Sequence, residues 1–241
     1  MSSFENFIAQ FKDKTISVAI YDLHSGSDIL INADVSMHPA STMKVPVMME
    51  VFRQAEAGVP ALGGPLQNFY SVKTIVDGRE VSLEEVDDSD KTLYARIGES
   101  ETIRELNRLM IVRSSNLATN LLMERVTCTR VDAFIKELGI ENMTVIRGLE
   151  DKKAYRLGMN NAASARSSTQ MMKLIAEGKV VSRKVCDEMI EVMFGQEFNE
   201  SIPALLPADV KVAHKTGWTG DFFHDTGIVF PPERKPYAIS L

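Results

Sequence analysis

Residues 210–241 read VKVAHKTGWTGDFFHDTGIVFPPERKPYAISL, and in this segment three apolar runs alternate with turns. The runs at 210–214, 222–230 and 237–241 have the length and residue types of strands. At the other end of the chain, apolar runs at 16–21 and 29–31 flank the turn sequence HSGSD, which predicts a hairpin. Because helical patterns lie between these two groups, we expect one sheet built from both chain ends, with a helical region inserted.

The inserted region is predicted to be mainly helical. A helical pattern at 43–57 ends at Gly58 and Pro60, and further helical faces recur through 101–194. One break, at 147–165, has no sustained period. Residues 72–76 are predicted to pair with 80–83, and the acidic run at 84–90 is predicted to be a solvated loop. We expect one domain, with a sheet region at about 1–38 and 207–241 and a helical region at about 39–206.

The composition is that of an ordinary globular protein. Of the 241 residues, 44% are hydrophobic and 25% are charged, which excludes a disordered chain. The net charge is -6 and no run of Lys and Arg offsets it, so nucleic-acid binding through phosphates is not expected. No stretch approaches the roughly 20 apolar residues of a membrane span, and the N-terminus MSSFENFIAQFKDK lacks the pattern of a signal peptide. Either the protein stays inside the cell, or an export signal is missing from this sequence.

Cysteine and histidine form no metal-binding motif. Cys128 and Cys186 are each predicted to be a small core residue rather than half of a disulfide. The histidines lack H-x-x-x-H spacing; they are His24, His38, His214 and His224. We therefore expect no metal site.

The first candidate catalytic motif is Ser41-Thr42-Met43-Lys44, at the start of a helical pattern. A three-residue spacing places Ser41 and Lys44 on one face of a helix, where a desolvated amine can take the proton of the hydroxyl. The free N–H groups at a helix N-terminus suit a developing oxyanion. Chance predicts roughly one S-x-x-K in a chain of this composition, so the motif alone proves nothing.

A second candidate, Ser114-Ser115-Asn116, lies between two helical patterns. In an extended loop the side chains of Ser114 and Asn116 point the same way, so that they could relay a proton and hold a substrate amide. The alternative is that Asn116 caps the helix that follows.

A third candidate, Lys215-Thr216-Gly217, ends the strand that begins at 210–214. Its charge and hydroxyl suit an anionic group, and the glycine allows a substrate to approach the strand closely. The alternative is a strand end that runs into a turn. The order S-x-x-K, S-x-N, K-T-G is far less probable by chance than any one motif, and it is the combination found in class A β-lactamases and penicillin-binding proteins.

On these motifs the sequence resembles the class A β-lactamases within the penicillin-recognising serine enzymes, over nearly its whole length. The resemblance implies an α/β fold in which an antiparallel sheet from both chain ends is flanked by helices and carries an inserted all-α region. It implies no metal or organic cofactor, and a small β-lactam or peptidoglycan-like substrate rather than nucleic acid or membrane. It also implies export to the periplasm or the exterior, although no signal peptide is visible. The oligomeric state stays open.

The resemblance also implies a role for each motif residue. Ser41 would be the acylated nucleophile, Lys44 its general base, and Ser114 the group that passes a proton to the leaving nitrogen. Asn116 would bind the substrate side-chain amide, and the substrate carboxylate would lie on Lys215 and Thr216, beside Gly217. The N–H groups of Ser41 and Trp218 would form the oxyanion hole.

Three departures from the family pattern bear on these expectations. Ser115 stands where the family has Asp, at a position that is mostly structural. The family's irregular loop carries Glu-x-x-Leu-Asn, which holds the deacylating water, and residues 147–161 lack that pattern. Glu150 or Asp151 is the candidate substitute, with Asn160 and Asn161 late in the loop, and the alternative is an exposed loop in which Glu150 pairs with Lys153 or Arg147.

The third departure is at the C-terminus, since the sequence ends at Leu241 in a predicted strand where the family continues into a helix packed on the sheet. We expect a helix at 4–12 to cover that face instead. Phe4, Phe7, Ile8 and Phe11 share one of its faces, and Ser2 and Glu5 form its predicted capping box.

The function expected from these observations is a serine hydrolase that opens β-lactams through an acyl-enzyme, with slow deacylation. One alternative is a D-alanyl-D-alanine peptidase or a small esterase that uses the same nucleophile. Another is a penicillin-binding sensor that is acylated without turnover.

Overall fold

The apolar runs at both chain ends pair into one antiparallel sheet in the computed structural model, which describes residues 3–59, 65–69 and 71–241. From edge to edge its strands are β2 (Asp28–Ile31), β1 (Val18–Asp22), β9 (Tyr237–Ser240), β8 (Phe223–Phe230) and β7 (Lys211–Trp218). The first two form the predicted N-terminal hairpin, and the last three come from the C-terminal segment. The predicted α/β class, with an antiparallel sheet from both chain ends, is confirmed.

One row of side chains across the sheet faces the helical region. Ala19 lies opposite Ser240, which lies opposite Thr226, and Thr226 lies opposite Lys215. All four are buried, and residues paired in this way share a face of the sheet. The register of the sheet therefore directs Lys215 toward the helices.

The helical region lies between β2 and β7 in sequence. Its helices are α2 (Lys44–Glu56), α3 (Ile103–Val112), α4 (Asn116–Val126), α5 (Cys128–Glu137), α6 (Lys152–Arg156), α7 (Ala165–Ala176) and α8 (Arg183–Phe194), and α1 (Ser3–Ile8) precedes the sheet. Helix α2 lies in the core, where Val45, Val47, Met48 and Met49 are fully buried. Helix α7 packs on β1, β8 and β9, and α8 packs on β7. No helix in the described part of the chain is long and apolar enough to cross a membrane.

Short strands complete the fold, and the predicted pairing of 72–76 with 80–83 is confirmed in part, since its first strand ends at Lys73. They are β3 (Pro65–Gln67), β4 (Ser71–Lys73), β5 (Glu80–Ser82) and β6 (Ser100–Thr102). Strand β4 pairs with β5, with Val72 opposite Val81. Strand β7 runs through Trp218, so the K-T-G motif lies on a strand, as predicted. Cys186 is fully buried and Cys128 half-buried, and both are free thiols.

The predicted covering of the sheet by the N-terminal helix is wrong. Helix α1 is six residues long, Phe7 is 55% exposed and Phe11 44% exposed, and their rings contact each other edge-on. A six-residue helix makes fewer than two turns, which is too short to lay a continuous apolar stripe on a sheet. The Ser2 and Glu5 capping box, the side chain of Phe4 and Pro60 lie outside what the structure describes.

The expectation that residues 84–90 form a solvated loop is wrong for two of its carboxylates. Asp88 and Asp90 are 5% and 4% exposed. Asp88 accepts hydrogen bonds from the backbone N–H groups of Asn116 and Leu117, at 2.9 and 2.8 Å. The N-terminus of α4 supplies free donors and a positive dipole, and these stabilise the buried carboxylate.

Candidate active site

The first motif forms a single 3-10 turn, Ala40–Met43, that leads directly into α2; we call it the serine turn. Ala40 has a φ of +47°, a conformation that residues with a Cβ seldom adopt. A Cβ on Gly217 would lie 2.9 Å from Ser41 N and 3.0 Å from Pro39 O. Only glycine lets β7 pack this closely, so the strand with the third motif lies directly against the turn with the first.

Lys44 is fully buried beneath the serine turn and lies beside the second motif. Its Nζ donates to Ser114 O at 2.6 Å, to Ser114 Oγ at 3.1 Å and to Asn116 Oδ1 at 2.8 Å. Burial lowers the pKa of Lys44 to about 7, although the carboxylates of Asp88 and Glu150 oppose the shift. A large fraction of this amine is therefore neutral near pH 7 and able to accept a proton.

Ser114 connects the two buried lysines. Lys215 Nζ donates to Ser114 Oγ at 3.1 Å, the same distance that separates this oxygen from Lys44 Nζ. Lys215 also donates to Thr216 O at 2.8 Å. Burial, and next the charge of Lys44, holds the pKa of Lys215 well below its ordinary value. One hydroxyl between two amines is an arrangement through which a proton can move.

The second motif does not have the extended conformation that we expected. Ser114 has a φ of +58°, and Ser115 is the N-cap of α4, because its side chain accepts from Ala118 N–H at 3.2 Å. Asn116 is the first helical residue rather than the cap. The left-handed conformation of Ser114, followed by the first turn of α4, directs the side chains of Ser114 and Asn116 toward Lys44 Nζ. An extended strand is not needed for this.

The side chain of Asn116 is fully engaged within the protein. Besides its bond to Lys44, its Nδ2 donates to Asp87 O and to Glu150 Oε1, each at 3.1 Å. A substrate amide that binds Asn116 must therefore displace one of these two acceptors, because an amide nitrogen has only two hydrogens.

Glu150 lies in the site, and it does not form the ion pairs predicted for it. Glu150 has a φ of +60° and a side chain that is 22% exposed, and burial, followed by Asp87, raises its pKa. Lys152, not Lys153 or Arg147, is the cation nearest to it, at 4.0 Å. The alternative of an exposed loop pairing with Lys153 or Arg147 is therefore wrong.

The other loop candidates hold the loop itself. Asp151 is buried and accepts from Thr74 Oγ1 at 2.8 Å and from Ile75 N–H at 3.0 Å. Asn160 accepts from Arg147 Nε, and Asn161 accepts from the N–H groups of Ile146 and Arg147. None of these three side chains is placed beside Glu150 by its hydrogen bonds.

Part of this site borders a cleft of about 600 Å³. Ser41, Asn116, Glu150 and Trp218 line it, and the Trp218 side chain is 72% exposed at its rim. Further lining residues that the sequence did not indicate are His38, Arg147, Tyr155 and Phe222. They stand in no motif of fixed spacing, and only the nearness of His38 to Ser41 in sequence was available as a signal.

Comparisons with known proteins match nearly the whole chain. The family model of the beta-lactamase enzyme family matches residues 1–241. The extended-spectrum beta-lactamase PER-1 of Pseudomonas aeruginosa is 23% identical over 246 aligned positions, which cover 95% of this chain and 75% of PER-1.

Solved structures show the same fold. A beta-lactamase from Sphaerobacter thermophilus superposes with a TM-score of 0.80 at 22% identity, covering 99% of this chain and 87% of that one. A point mutant of PBP-A, solved as an acyl-enzyme complex with penicillin G, superposes with a TM-score of 0.83 at 23% identity, covering 98% and 83%.

Proposed function

This chain belongs to the beta-lactamase enzyme family, and we propose that it is a serine hydrolase that opens the β-lactam amide bond through an acyl-enzyme on Ser41. The observation that carries the proposal is Ser114 Oγ, which lies 3.1 Å from both Lys44 Nζ and Lys215 Nζ. A serine between two buried amines, next to the serine turn, is suited to moving a proton from a nucleophile to a leaving group.

Acylation in this proposal begins with Lys44, which follows Ser41 by three residues where the serine turn leads into α2. Neutral Lys44 takes the proton of Ser41 Oγ. The Oγ atom then bonds to the lactam carbonyl carbon, while the π electrons of the C=O bond move onto the carbonyl oxygen. The N–H groups of Ser41 and Trp218 stabilise that oxyanion. When the oxyanion collapses and the C–N bond breaks, Ser114 gives its proton to the nitrogen and recovers one from Lys44.

Lys215 and Thr216 bind the substrate carboxylate in this proposal. Lys215 is buried and its pKa is depressed, so an incoming carboxylate would stabilise its ammonium form. Gly217 adds no side chain between the strand and the serine turn, which leaves the strand backbone next to Ser41.

Deacylation is slow in this proposal, because the groups that would hold a hydrolytic water are poorly assembled. Glu150 is the half-buried carboxylate of the cleft, and its Oε1 accepts from Asn116 Nδ2. No amide from the loop at 147–161 is bonded next to it, since Asn160 and Asn161 hold backbone and Arg147 groups. A water on the acyl carbonyl needs an acceptor and a second anchor to be activated efficiently.

Nitrocefin hydrolysis followed together with intact mass tests the proposal. We expect a stoichiometric burst, a benzylpenicillin adduct on Ser41, and then a slow steady state. Ser41→Ala should abolish the adduct, whereas Ser25→Ala, in the exposed β1–β2 turn, should leave it intact. Glu150→Gln should slow the second phase if Glu150 acts on the water. Fast linear turnover without a burst would contradict slow deacylation, and an adduct on Ser41→Ala would contradict the nucleophile.

The same observation on the loop supports a second candidate, a penicillin-binding protein that is acylated without turnover. An adduct that persists for hours, with no steady-state phase, would identify this function. Activity on a D-alanyl-D-alanine peptide or a simple ester, without nitrocefin hydrolysis, would identify a peptidase or an esterase with the same nucleophile.

A further inference from the structure

His38 lies beside the serine turn and has no part in the chemistry above. Its Nδ1 accepts a hydrogen bond from Ala40 N–H at 3.1 Å, and its carbonyl oxygen lies 2.9 Å from His224 Nε2. Its ring lies 5.9 Å from that of Tyr155 and 6.0 Å from that of Phe222. His38 thus contacts the serine turn, the loop at 147–161 and the β7–β8 hairpin.

The backbone that His38 holds is strained. Ala40 has a φ of +47°, and Ser41 follows it directly, so the direction of the Ser41 N–H and side chain depends on this conformation. At the far end of the turn, Thr42 N and Thr42 Oγ1 both donate to Pro39 O, at 3.1 and 2.6 Å. At the near end, the Ala40 N–H is held by the His38 imidazole.

The ring of His38 faces a donor on each side. Ala40 N–H points at Nδ1, and Arg147 Nη2 lies 3.2 Å from Nε2. A neutral imidazole has one lone pair to offer and can keep the bond to Ala40, whereas an imidazolium has a hydrogen on both nitrogens and accepts from neither neighbour. The geometry therefore favours the neutral ring.

The surrounding charges favour the same form. From the loop, Arg147 and Tyr155 face the ring. Among the charges around Arg147, that of Asp151 has the largest effect on the pKa of its guanidinium, which it raises. From the hairpin, His224 contacts the backbone carbonyl oxygen of His38, and Asp221 lines the same cleft. Burial, then Arg147, then His224 lower the pKa of His38 from its ordinary value.

We propose that His38 is a positioning residue for Ser41: its neutral imidazole holds the Ala40 N–H and with it the left-handed turn that presents the nucleophile, and protonation of the ring releases that turn. This inference deepens the proposed function and rests on it. Its consequence is an acid limb in the acylation rate that belongs to His38 and not to Lys44.

Three variants separate this role from simple packing. His38→Asn keeps an acceptor near the position of Nδ1 and does not titrate. His38→Leu fills similar space without an acceptor. His24→Leu, in the exposed β1–β2 turn, is the matched control. Thermal melting of each variant shows whether it folds.

The rate of acylation by a fluorescent penicillin is then measured between about pH 5 and pH 8. At the upper end, His38→Leu should be slower by about tenfold or more, as expected for a lost hydrogen bond to a strained turn, while His38→Asn retains most of the rate. The ratio of the wild-type rate to the His38→Asn rate should fall as the pH falls. A His38→Leu variant that folds and reacts as fast as wild type, or a ratio that does not change with pH, would overturn the inference.

Nitrogen NMR of the histidine rings tests the inference even if the proposed function fails. We expect His38 Nδ1 to be unprotonated near neutral pH and the Ala40 amide resonance to shift as His38 titrates. If no penicillin adduct forms but the Ala40 amide follows His38, the proposed function fails and the positioning contact stands. An Ala40 amide that does not respond to the titration would overturn the contact itself.

Discussion

At the scale of single residues, the site depends on a buried amine that has lost much of its affinity for protons. Removing Lys44 from water penalises its charged form, and this lowers its pKa to about 7. The same penalty acts on Lys215, where the charge of Lys44 adds to it. In the proposed mechanism the protein obtains its base by burying this amine away from solvent, and the charges of Asp88 and Glu150 limit the shift in its pKa.

The pH dependence of acylation follows from this shift. The neutral amine is the active form, so the rate should rise with pH and reach half of its plateau near pH 7, instead of near the 10.5 of an ordinary lysine. Below that point, the rate should fall by up to about tenfold per pH unit for one titrating group. Acylation of the His38→Asn variant by a fluorescent penicillin isolates the Lys44 limb. A rate that is independent of pH between 5 and 9 would rule out Lys44 as the base.

At the scale of elements, the N-terminus of α4 depends on a carboxylate from a distant segment. Asp88 accepts two backbone N–H groups at the start of α4, which also carries Asn116. Charge-assisted bonds to a helix N-terminus are among the stronger hydrogen bonds of proteins. The Asp88 side chain therefore joins the segment at 84–88 to α4, together with the bond from Asn116 Nδ2 to Asp87 O.

Replacing that carboxylate should affect both stability and the site. We expect Asp88→Asn to lower the free energy of unfolding by about 2 kcal/mol, because a buried charge-assisted acceptor is lost. We also expect slower acylation, because Asn116 begins the same helix. Urea unfolding and acylation rates measure the two effects, with Asp28→Asn in the exposed strand β2 as the control. Equal stability of the Asp88→Asn protein and its control would contradict the assigned role.

The elements also show what the sequence could and could not predict. The strands were predictable because short apolar runs bounded by turn residues form few structures other than strands. The pairing of Val72 with Val81 follows from the same pattern. The burial of Asp88 was not predictable, since an acidic run is normally solvated and its donors are distant in sequence. Periodicity likewise predicted a helix around Phe7, but periodicity carries no information about what a helix packs against.

For the site, residue types at fixed spacing were enough to name Lys44, Ser114 and Lys215, which the structure brings together. His38 and Arg147 were missed as a pair, because their contact joins separate segments and neither belongs to a short motif. Asp151 was offered as a substitute base, whereas its hydrogen bonds to Thr74 and Ile75 fix the loop. Short sequence motifs therefore identify residues with catalytic chemistry well, but they do not identify contacts between segments that are distant in sequence.

At the scale of the whole molecule, the described phenylalanine side chains of the N-terminal segment contribute little burial. Phe7 and Phe11 are about half exposed, so removing them gives up only part of the about 2 kcal/mol that a fully buried Phe supplies. The core instead lies around α2 and between the sheet and α7 and α8.

Deletion of residues 2–12 should therefore be tolerated. We expect Tm to change by less than about 4 °C, the shift that roughly 1 kcal/mol causes in a chain of this size. Differential scanning calorimetry of the full and the shortened chain measures it, and the acylation burst should survive. A shortened protein that fails to fold would show that this segment covers the sheet after all.

The contact of Gly217 with the serine turn has a practical consequence for studies of this protein in cells. Ser41 and Gly217 come from opposite ends of the chain, and their backbones meet only when the strand from the C-terminal half has docked on the helix from the N-terminal half. Partly folded or misassembled chains lack that junction and therefore lack the proposed oxyanion site. Brightness after a pulse of fluorescent penicillin would then count correctly assembled molecules, so the reagent becomes a quality-control readout for expression, chaperone dependence and library screening.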